Sequence, residues 1–188
     1  MKNEVDKLRD GIFALHTRRF GSVAERIVIA LYGFREAKSK YYDAIEPASG
    51  SKVEIKFSRA TEKQAPLTDR NLIEQCSAAS NLVERALSGD DVRNYSWDSN
   101  IQQVKPEEFD TLYYGLFFSD KIEIFKMTSN DVESYERNSN KQHYGNVGEG
   151  QFHFDSKTYA YHKQNHFDRE LTYDEVYKIF DELRSNCK

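Results

Sequence analysis

The chain has 188 residues, of which 38% are hydrophobic, 31% charged and 13% aromatic, a composition that supports one folded domain over residues 1–188 and excludes an intrinsically disordered chain. Two widely separated cysteines, a charged N-terminus and the lack of any long apolar run exclude a disulfide scaffold and favour an intracellular, cytoplasmic protein with no membrane partner. The formal net charge of −4 at pH 7 weighs, as an average, against a nucleic-acid partner, because phosphate binding needs local positive charge.

The first predicted elements are two helices. Residues 3–16 have a helical pattern, and Ser22 then precedes Glu25 by three residues, the spacing of a capping box, so we expect a second helix to begin at Ser22. Gly33 and its neighbours are expected to end it. Apolar residues at i, i+3, i+4 and i+7 predict one buried stripe; they are Ile27, Ala30, Leu31 and Phe34.

An antiparallel hairpin is predicted next. KYYDAI and KVEIKF both alternate, and PASGS between them has the proline, serine and glycine content of a turn. Because side chains alternate along a strand, the second strand has an apolar face and a charged face. The apolar face carries Val53, Ile55 and Phe57, and the charged face carries Glu54 and Lys56.

A third helix and a second strand pair follow in the pattern. Residues 69–88 predict a helix, residues 89–108 a loop-like insertion, and FDTLYYGLFF and KIEIFKM two adjacent strands rich in aromatic and β-branched residues. The apolar positions of the third helix are Leu72, Cys76, Ala79, Val83 and Ala86.

The C-terminal part predicts a short helix in TSNDVESYERN, a flexible loop over residues 138–150, a strand-rich segment and a closing helix. Thr172 and Glu175 of the closing helix have capping-box spacing. Residues 138–170 are a candidate DNA-recognition region. Together the elements predict an α/β (α+β) domain with one mixed central sheet, flanked by helices, that has the hairpin in its middle.

Charged side chains on a central strand need a compensating partner, because burying them costs desolvation free energy. Two carboxylates from adjacent strands, Asp43 and Glu54, can supply the hard oxygen ligands that Mg²⁺ prefers while the ion keeps waters in its other positions. Lys56 beside such a site can orient the attacking water or offset negative charge that develops on a phosphate.

These residues resemble the signature of the PD-(D/E)XK nuclease superfamily: Asp43, ten intervening residues, and then Glu54-Ile55-Lys56. YDAIEPASGSKVEIKFS is similar to the catalytic hairpin of the PvuII type of restriction endonuclease, although Tyr42 replaces the proline usual before the aspartate. The resemblance covers residues 20–60 and extends more loosely to about residue 135. It implies a restriction-endonuclease-like fold whose catalytic core spans about residues 20–130.

The resemblance also implies a function and a set of site residues. The function is that of a type II restriction enzyme, a homodimer that cleaves double-stranded DNA at a short specific sequence with Mg²⁺, for which Mn²⁺ substitutes. Asp43 and Glu54 would bind the metal, the backbone carbonyl of Ile55 would be a further ligand, and Lys56 would be the catalytic lysine. In several branches of the superfamily a glutamate on the first core helix joins the metal site, and Glu25 occupies that place. A structural role for Glu25 in the capping box with Ser22 is an alternative.

Candidate DNA contacts lie in two parts of the chain. Residues 1–70 contain 14 Lys and Arg against 10 Asp and Glu, whereas the remainder contains 13 against 21, so an anionic ligand would meet the first part. Amide and imidazole side chains of the kind that pair with base edges lie in the C-terminal part, although ordinary surface loops share this composition. The candidates are Lys40, Ser58, Arg59, Lys63, Gln142, His143, Asn146, Gln151 and His153.

Alternative interpretations remain open. His162 and His166, four residues apart, make a metal pair conceivable, but HKQNH lacks the glutamate of a zinc-protease helix and its flanking aromatics suggest extended structure, which favours a DNA-contact or packing role. GSVAERIVIALYGF also resembles the first helix of archaeal-type Holliday-junction resolvases. A nuclease that recognises DNA structure rather than a specific sequence is therefore an alternative function. A catalytically silent DNA-binding or protein-interaction module on the same fold is the alternative from a different class.

Overall fold

A computed structural model describes residues 3–78, 82–141 and 147–186. The first half contains α1 (Glu4–Ala14), α2 (Thr17–Tyr32), β1 (Arg35–Glu36), β2 (Ala44–Ile45), β3 (Lys52–Arg59) and α3 (Leu72–Ala78). The second half contains β4 (Asp98–Val104), β5 (Thr111–Phe117), β6 (Lys121–Thr128), α4 (Ser129–Ser134), β7 (Asn138–Lys141), β8 (Val147–Asp155), α5 (Tyr159–Asn165), β9 (Phe167–Thr172) and α6 (Tyr173–Asn186). No helix in these described ranges is long and apolar enough to cross a membrane.

Six strands form one mixed sheet in the order β1-β2-β3-β5-β6-β9. β3 and β5 run parallel, and the other neighbouring pairs are antiparallel. β3, the strand that carries Glu54 and Lys56, is therefore third of six. Both the mixed α/β fold class and the central position of the predicted hairpin are confirmed. The strand predicted over KYYDAI is wrong in extent, because only Ala44–Ile45 is a strand paired with β3.

Helices α1, α2 and α6 cover one face of this sheet. The second helix begins at Thr17, five residues before the predicted start, so Ser22 is not its N-cap; the Ser22 hydroxyl instead donates to the Arg18 carbonyl at 3.3 Å. The earlier start places Phe20 on the buried stripe together with Ala24, Ile27 and Val28, whereas Ala30 and Leu31 are only partly buried. Gly33, in the left-handed conformation, ends the helix as predicted.

A second sheet, in the order β4-β8-β7, covers the opposite face. The predicted loop over residues 89–108 is therefore wrong, because β4 lies within it and Trp97 and Ile101 belong to the core. The helix predicted over residues 69–88 is also wrong in extent: α3 ends at Ala78, Leu72 is 45% exposed and Cys76 is exposed. Ala79 lies outside the described residues.

The C-terminal predictions are confirmed in part. The β5–β6 pair, the short helix α4 and the capping box of α6 are present, with the Thr172 N–H and hydroxyl both donating to Glu175. The loop predicted over residues 138–150 is partly wrong, because β7 and the start of β8 lie there. The strand-rich segment that follows includes a helix, α5, between β8 and β9.

Candidate active site

The hairpin ends its backbone pairing at Asp43, just before the two-residue strand β2. Ala44 is paired with Val53, and the Asp43 N–H donates to the Val53 carbonyl at 2.9 Å. Beyond this point the Asp43 side chain replaces the missing strand, since its Oδ2 accepts the Ile55 N–H at 2.8 Å. The edge of β3 from Ile55 onward is thus left open on this side.

Three oxygen atoms converge on the Lys56 ammonium at this open edge. Because the N–H and C=O of one strand residue point to the same side, the Ile55 carbonyl faces the edge as its N–H does, and it lies 3.4 Å from Lys56 Nζ. Asp43 Oδ2 lies 3.6 Å from the same nitrogen, and Glu54 forms a salt bridge with it. The structure therefore brings together the residues that the sequence predicted as the site.

The site is strained electrostatically. Burial, and next the neighbouring charge of Asp43, raise the pKa of Glu54 to about 7 even though Lys56 opposes the shift. Burial alone would lower the pKa of Lys56, but Glu54 and Asp43 outweigh it, so the net shift is upward. Lys56 is accordingly an ammonium in the metal-free protein, suited to stabilising negative charge rather than to accepting a proton.

We expect Glu54→Gln to stabilise the metal-free protein by about 1–3 kcal/mol at pH 8. The pKa of Glu54 is about 7 in the folded protein and near 4.5 for an unperturbed side chain, so its favourable contribution is complete below pH 4.5 and is lost as the pH rises through 7. Glutamine avoids this loss. Urea unfolding in EDTA at pH 8 measures the difference.

The matched control is Glu182→Gln, an exposed position on α6, for which no gain is expected at pH 8. A Glu54→Gln protein that is less stable than the parent at pH 8 would show that the Lys56–Glu54 ion pair outweighs the burial cost. That result would contradict the electrostatic strain inferred for the site.

Glu25 lies in the interior of α2 and is half-buried beside the hairpin. Its competing role as a helix cap is wrong, because the helix begins eight residues earlier. Burial, and next the charge of Asp43, raise its pKa, while Lys56 and Arg26 oppose the shift. Glu25 therefore belongs to the electrostatic environment of Asp43 and Lys56.

A cleft of about 720 Å³ opens between α2, β3 and β4 and contains Lys56. Glu25, Ile55 and Lys56 contribute to one wall, and a polar segment of β4 forms the other. The pattern of residues 89–108 predicted a loop and so gave no sign of this second wall. The buried residues of this segment alternate, but the middle one is polar, so the sequence shows no alternation of apolar and polar residues: they are Trp97, Ser99 and Ile101.

The predicted DNA contacts from the first part of the chain lie in different surroundings. Ser58 and Arg59 line the cleft, whereas Lys40 and Lys63 are exposed outside its lining. The Arg59 guanidinium donates through Nη2 to the Leu15 carbonyl at 2.6 Å, and its Nε has no hydrogen-bond partner among the described residues. Arg59 thus fastens the end of α1 to the cleft and retains one unused donor.

The predicted DNA contacts from the C-terminal part of the chain do not lie together. His153 is exposed on β8 and its Nδ1 lies 2.9 Å from Asp98 Oδ1 in the cleft lining. Gln151 is buried, and its Oε1 has no partner within the described ranges. Gln142, His143 and Asn146 lie outside the described residues.

His162 is a core residue. It is 0% exposed on α5, where the Tyr114 hydroxyl lies 2.7 Å from Nδ1 and the Tyr135 hydroxyl 3.2 Å from Nε2. Burial, and next the nearby His166, lower its pKa to about 3. With both ring nitrogens engaged by tyrosines, His162 has none left for a metal; the extended structure predicted around it is wrong, and the packing role is confirmed for this residue.

The donor set at the hairpin fits a hard divalent cation. Within residues 3–78, 82–141 and 147–186, no group of three or more His, Cys, Asp or Glu side chains is arranged to hold a metal ion. The oxygens at the hairpin are two carboxylates, from Asp43 and Glu54, and the Ile55 carbonyl, already gathered around a single positive charge. Such a set suits Mg²⁺, which is commonly held by one or two carboxylates and retains several waters.

No protein-family model matches this chain, and no curated protein or solved structure matches it at a significant level of similarity.

Proposed function

We propose that this protein is a Mg²⁺-dependent endodeoxyribonuclease of the PD-(D/E)XK type, a type II restriction enzyme that hydrolyses phosphodiester bonds in double-stranded DNA. The observation that carries the proposal is the convergence of Asp43, Glu54 and the Ile55 carbonyl on the Lys56 ammonium, which itself lines an open cleft. The raised pKa of Glu54 supports it, because a buried excess of negative charge is relieved when a cation binds.

Each side chain has a role in the proposed hydrolysis. Bound Mg²⁺ would polarise the scissile phosphate and a coordinated water. Asp43, Glu54 and the Ile55 carbonyl would hold the ion, and the Ile55 N–H fixes the Asp43 carboxylate in position. Lys56 would orient the attacking water and stabilise the charge that develops on the phosphate, while Glu25 adds negative charge beside the cation.

The products would be a 5′-phosphate and a 3′-hydroxyl. We further propose that two copies of the chain act together, because a two-fold symmetric dimer delivers one such site to each strand of a palindromic sequence.

The function is tested by incubating the purified protein with phage DNA and Mg²⁺, and in parallel with a synthetic four-way junction. Discrete bands from phage DNA are expected, with no cleavage in EDTA and restored cleavage in Mn²⁺. Each product is then checked for a 5′-phosphate by its ability to be religated.

The other outcomes point to the alternative functions. Cleavage of the junction alone would identify a resolvase-like enzyme. Binding of DNA without cleavage under every metal tested would identify a catalytically silent module and would refute the nuclease proposal.

A further inference from the structure

Gln103 has a backbone conformation that is uncommon outside glycine. Its φ is +59°, and among the described non-glycine residues it alone has a positive φ. The left-handed region costs free energy for a residue with a Cβ, and glycine is the ordinary solution. The chain therefore keeps a glutamine side chain at a position where glycine would give a more stable backbone.

A β-bulge in β4 produces this conformation. Gln102 is paired with Gln151 and Val104 with Gly150, which leaves Gln103 as the extra residue. Gly150 permits the bulge, because a Cβ there would lie 2.5 Å from the Val104 carbonyl oxygen. Bulges redirect side chains and are over-represented next to active sites.

The redirected residue lines the cleft that contains Lys56. Asn100, Gln102 and Gln103 are all exposed and contribute to the β4 wall of this cleft. β4 is an edge strand of the small sheet, so only its other side is paired, with β8. A ligand in the cleft would meet a row of carboxamides along this edge.

The charges of the cleft suit a ligand that is anionic on one side and polar on the other. Arg18, Lys56 and Arg59 line it from α2 and β3, where they outnumber the one carboxylate of that wall, Glu25. The acidic residue of the β4 wall, Asp98, is engaged by His153. Phosphates would therefore lie toward α2 and β3, and uncharged hydrogen-bonding groups toward the carboxamides.

We propose that Gln103, flanked by Asn100 and Gln102, contacts base edges of double-stranded DNA in this cleft and thereby determines the sequence at which the DNA is bound. The proposal rests on the proposed nuclease function, which puts the scissile phosphate beside Lys56. The small sheet β4-β8-β7 presents the free edge of β4 to such a ligand, and in the major groove a glutamine carboxamide pairs with N6 and N7 of adenine. Adenine is therefore the base expected opposite Gln103.

The test selects bound sequences from a duplex library with a randomised central segment. Lys56→Ala is the parent protein, so that bound DNA is cut only slowly, and it is compared in Mg²⁺ with double variants that add Gln103→Gly, Gln103→Glu or Asn186→Ala. Asn186 is the matched control: it is an exposed carboxamide on α6, outside the cleft lining.

The parent and the Asn186 control are expected to enrich adenine at one position or at a symmetric pair. Discrimination there should be about 5- to 150-fold, the range of one bidentate contact. Gln103→Gly should reduce it to near one. Gln103→Glu should shift the preference toward cytosine, whose N4 amine donates to a carboxylate. The melting temperature of the Gln103→Gly protein should equal or exceed that of the parent, since glycine relieves the backbone.

The same enriched sequence with and without Gln103 would overturn the proposal. So would the absence of any enriched sequence while the wild-type protein cuts DNA, a result that leaves the nuclease function standing. Conversely, a sequence preference that depends on Gln103 in a protein whose wild type cuts no DNA would support the base contact and refute the nuclease function.

Discussion

Alanine at position 56 is expected to lower the single-turnover rate of DNA cleavage by about 10²- to 10³-fold, the usual cost of removing one group that stabilises transition-state charge. Lys56 is the cation on which the oxygens of Asp43, Glu54 and Ile55 converge. Without it, the charge developing on the phosphate would lose the positive side chain that contacts both proposed metal ligands. Cleavage is measured with protein in excess over a labelled duplex at saturating Mg²⁺, so that binding does not limit the rate.

Asp43→Asn is expected to have at least as large an effect in the same assay, for a different reason. The Asp43 carboxylate is a proposed metal ligand, held in place by the Ile55 N–H; asparagine can still accept that N–H but lacks the negative charge that would hold the cation. Titration with Mn²⁺ separates the two variants: Asp43→Asn should need a higher metal concentration, whereas Lys56→Ala should not.

The matched control is Lys178→Ala, an exposed lysine on α6, which should retain the wild-type cleavage rate. Undiminished cleavage by the Lys56→Ala protein would refute the assignment of the site, even if the protein proves to be a nuclease.

Acid is expected to destabilise the protein through His162, by about 2 kcal/mol at pH 5 and by about 4–5 kcal/mol near pH 3. The pKa of this side chain is lowered from 6.5 to about 3 in the folded protein by burial, and then by His166. The folded state therefore excludes a proton that the unfolded state binds. The stabilising contribution of neutral His162 is complete above pH 6.5 and is lost as the pH falls toward 3.

Urea unfolding at several pH values between 8 and 3 measures this effect, compared between the wild type and His162→Gln. Glutamine can still bond to the hydroxyls of Tyr114 and Tyr135 but does not titrate. The comparison is necessary because Glu54 contributes a pH dependence of opposite sign over pH 4.5–7. The unfolding free energy of the wild type should fall more steeply with acid than that of the His162→Gln protein. The stability of the variant relative to the wild type should therefore rise as the pH falls.

His16→Gln is the control for this measurement, because His16 is exposed at the start of α2. Its unfolding free energy should follow that of the wild type at every pH. A His162→Gln protein that loses stability with acid as steeply as the wild type would contradict the assignment of the acid sensitivity to His162.

The hairpin was predictable because its information is local. The alternation around Val53 and Ile55 and the turn content of residues 46–51 require no knowledge of distant residues. The pairing that results, Ala44 with Val53, fixes Asp43 beside Ile55 and hence the geometry of the site.

The rest of the cleft depends on tertiary packing. The capping-box spacing of Ser22 and Glu25 was overridden because Phe20 packs against Phe117, with ring centroids 4.8 Å apart, on the buried side of α2. β4 was missed because most of its residues are polar, and Ile101 is buried only once the small sheet covers the large one. The local sequence pattern shows neither the packing of Phe20 nor the burial of Ile101. It does not reveal the conformation of Gln103 either.

The short length of β2 has a consequence for association between molecules. An unpaired strand edge offers free N–H and C=O groups to a neighbouring chain and so promotes edge-to-edge aggregation. At the open edge of β3, the Asp43 carboxylate occupies the Ile55 N–H, and the Lys56 ammonium lies against the Ile55 carbonyl. The charged residues proposed for catalysis thus also block the addition of a foreign strand, so that neutralising them would remove a barrier to aggregation as well as the proposed catalytic groups.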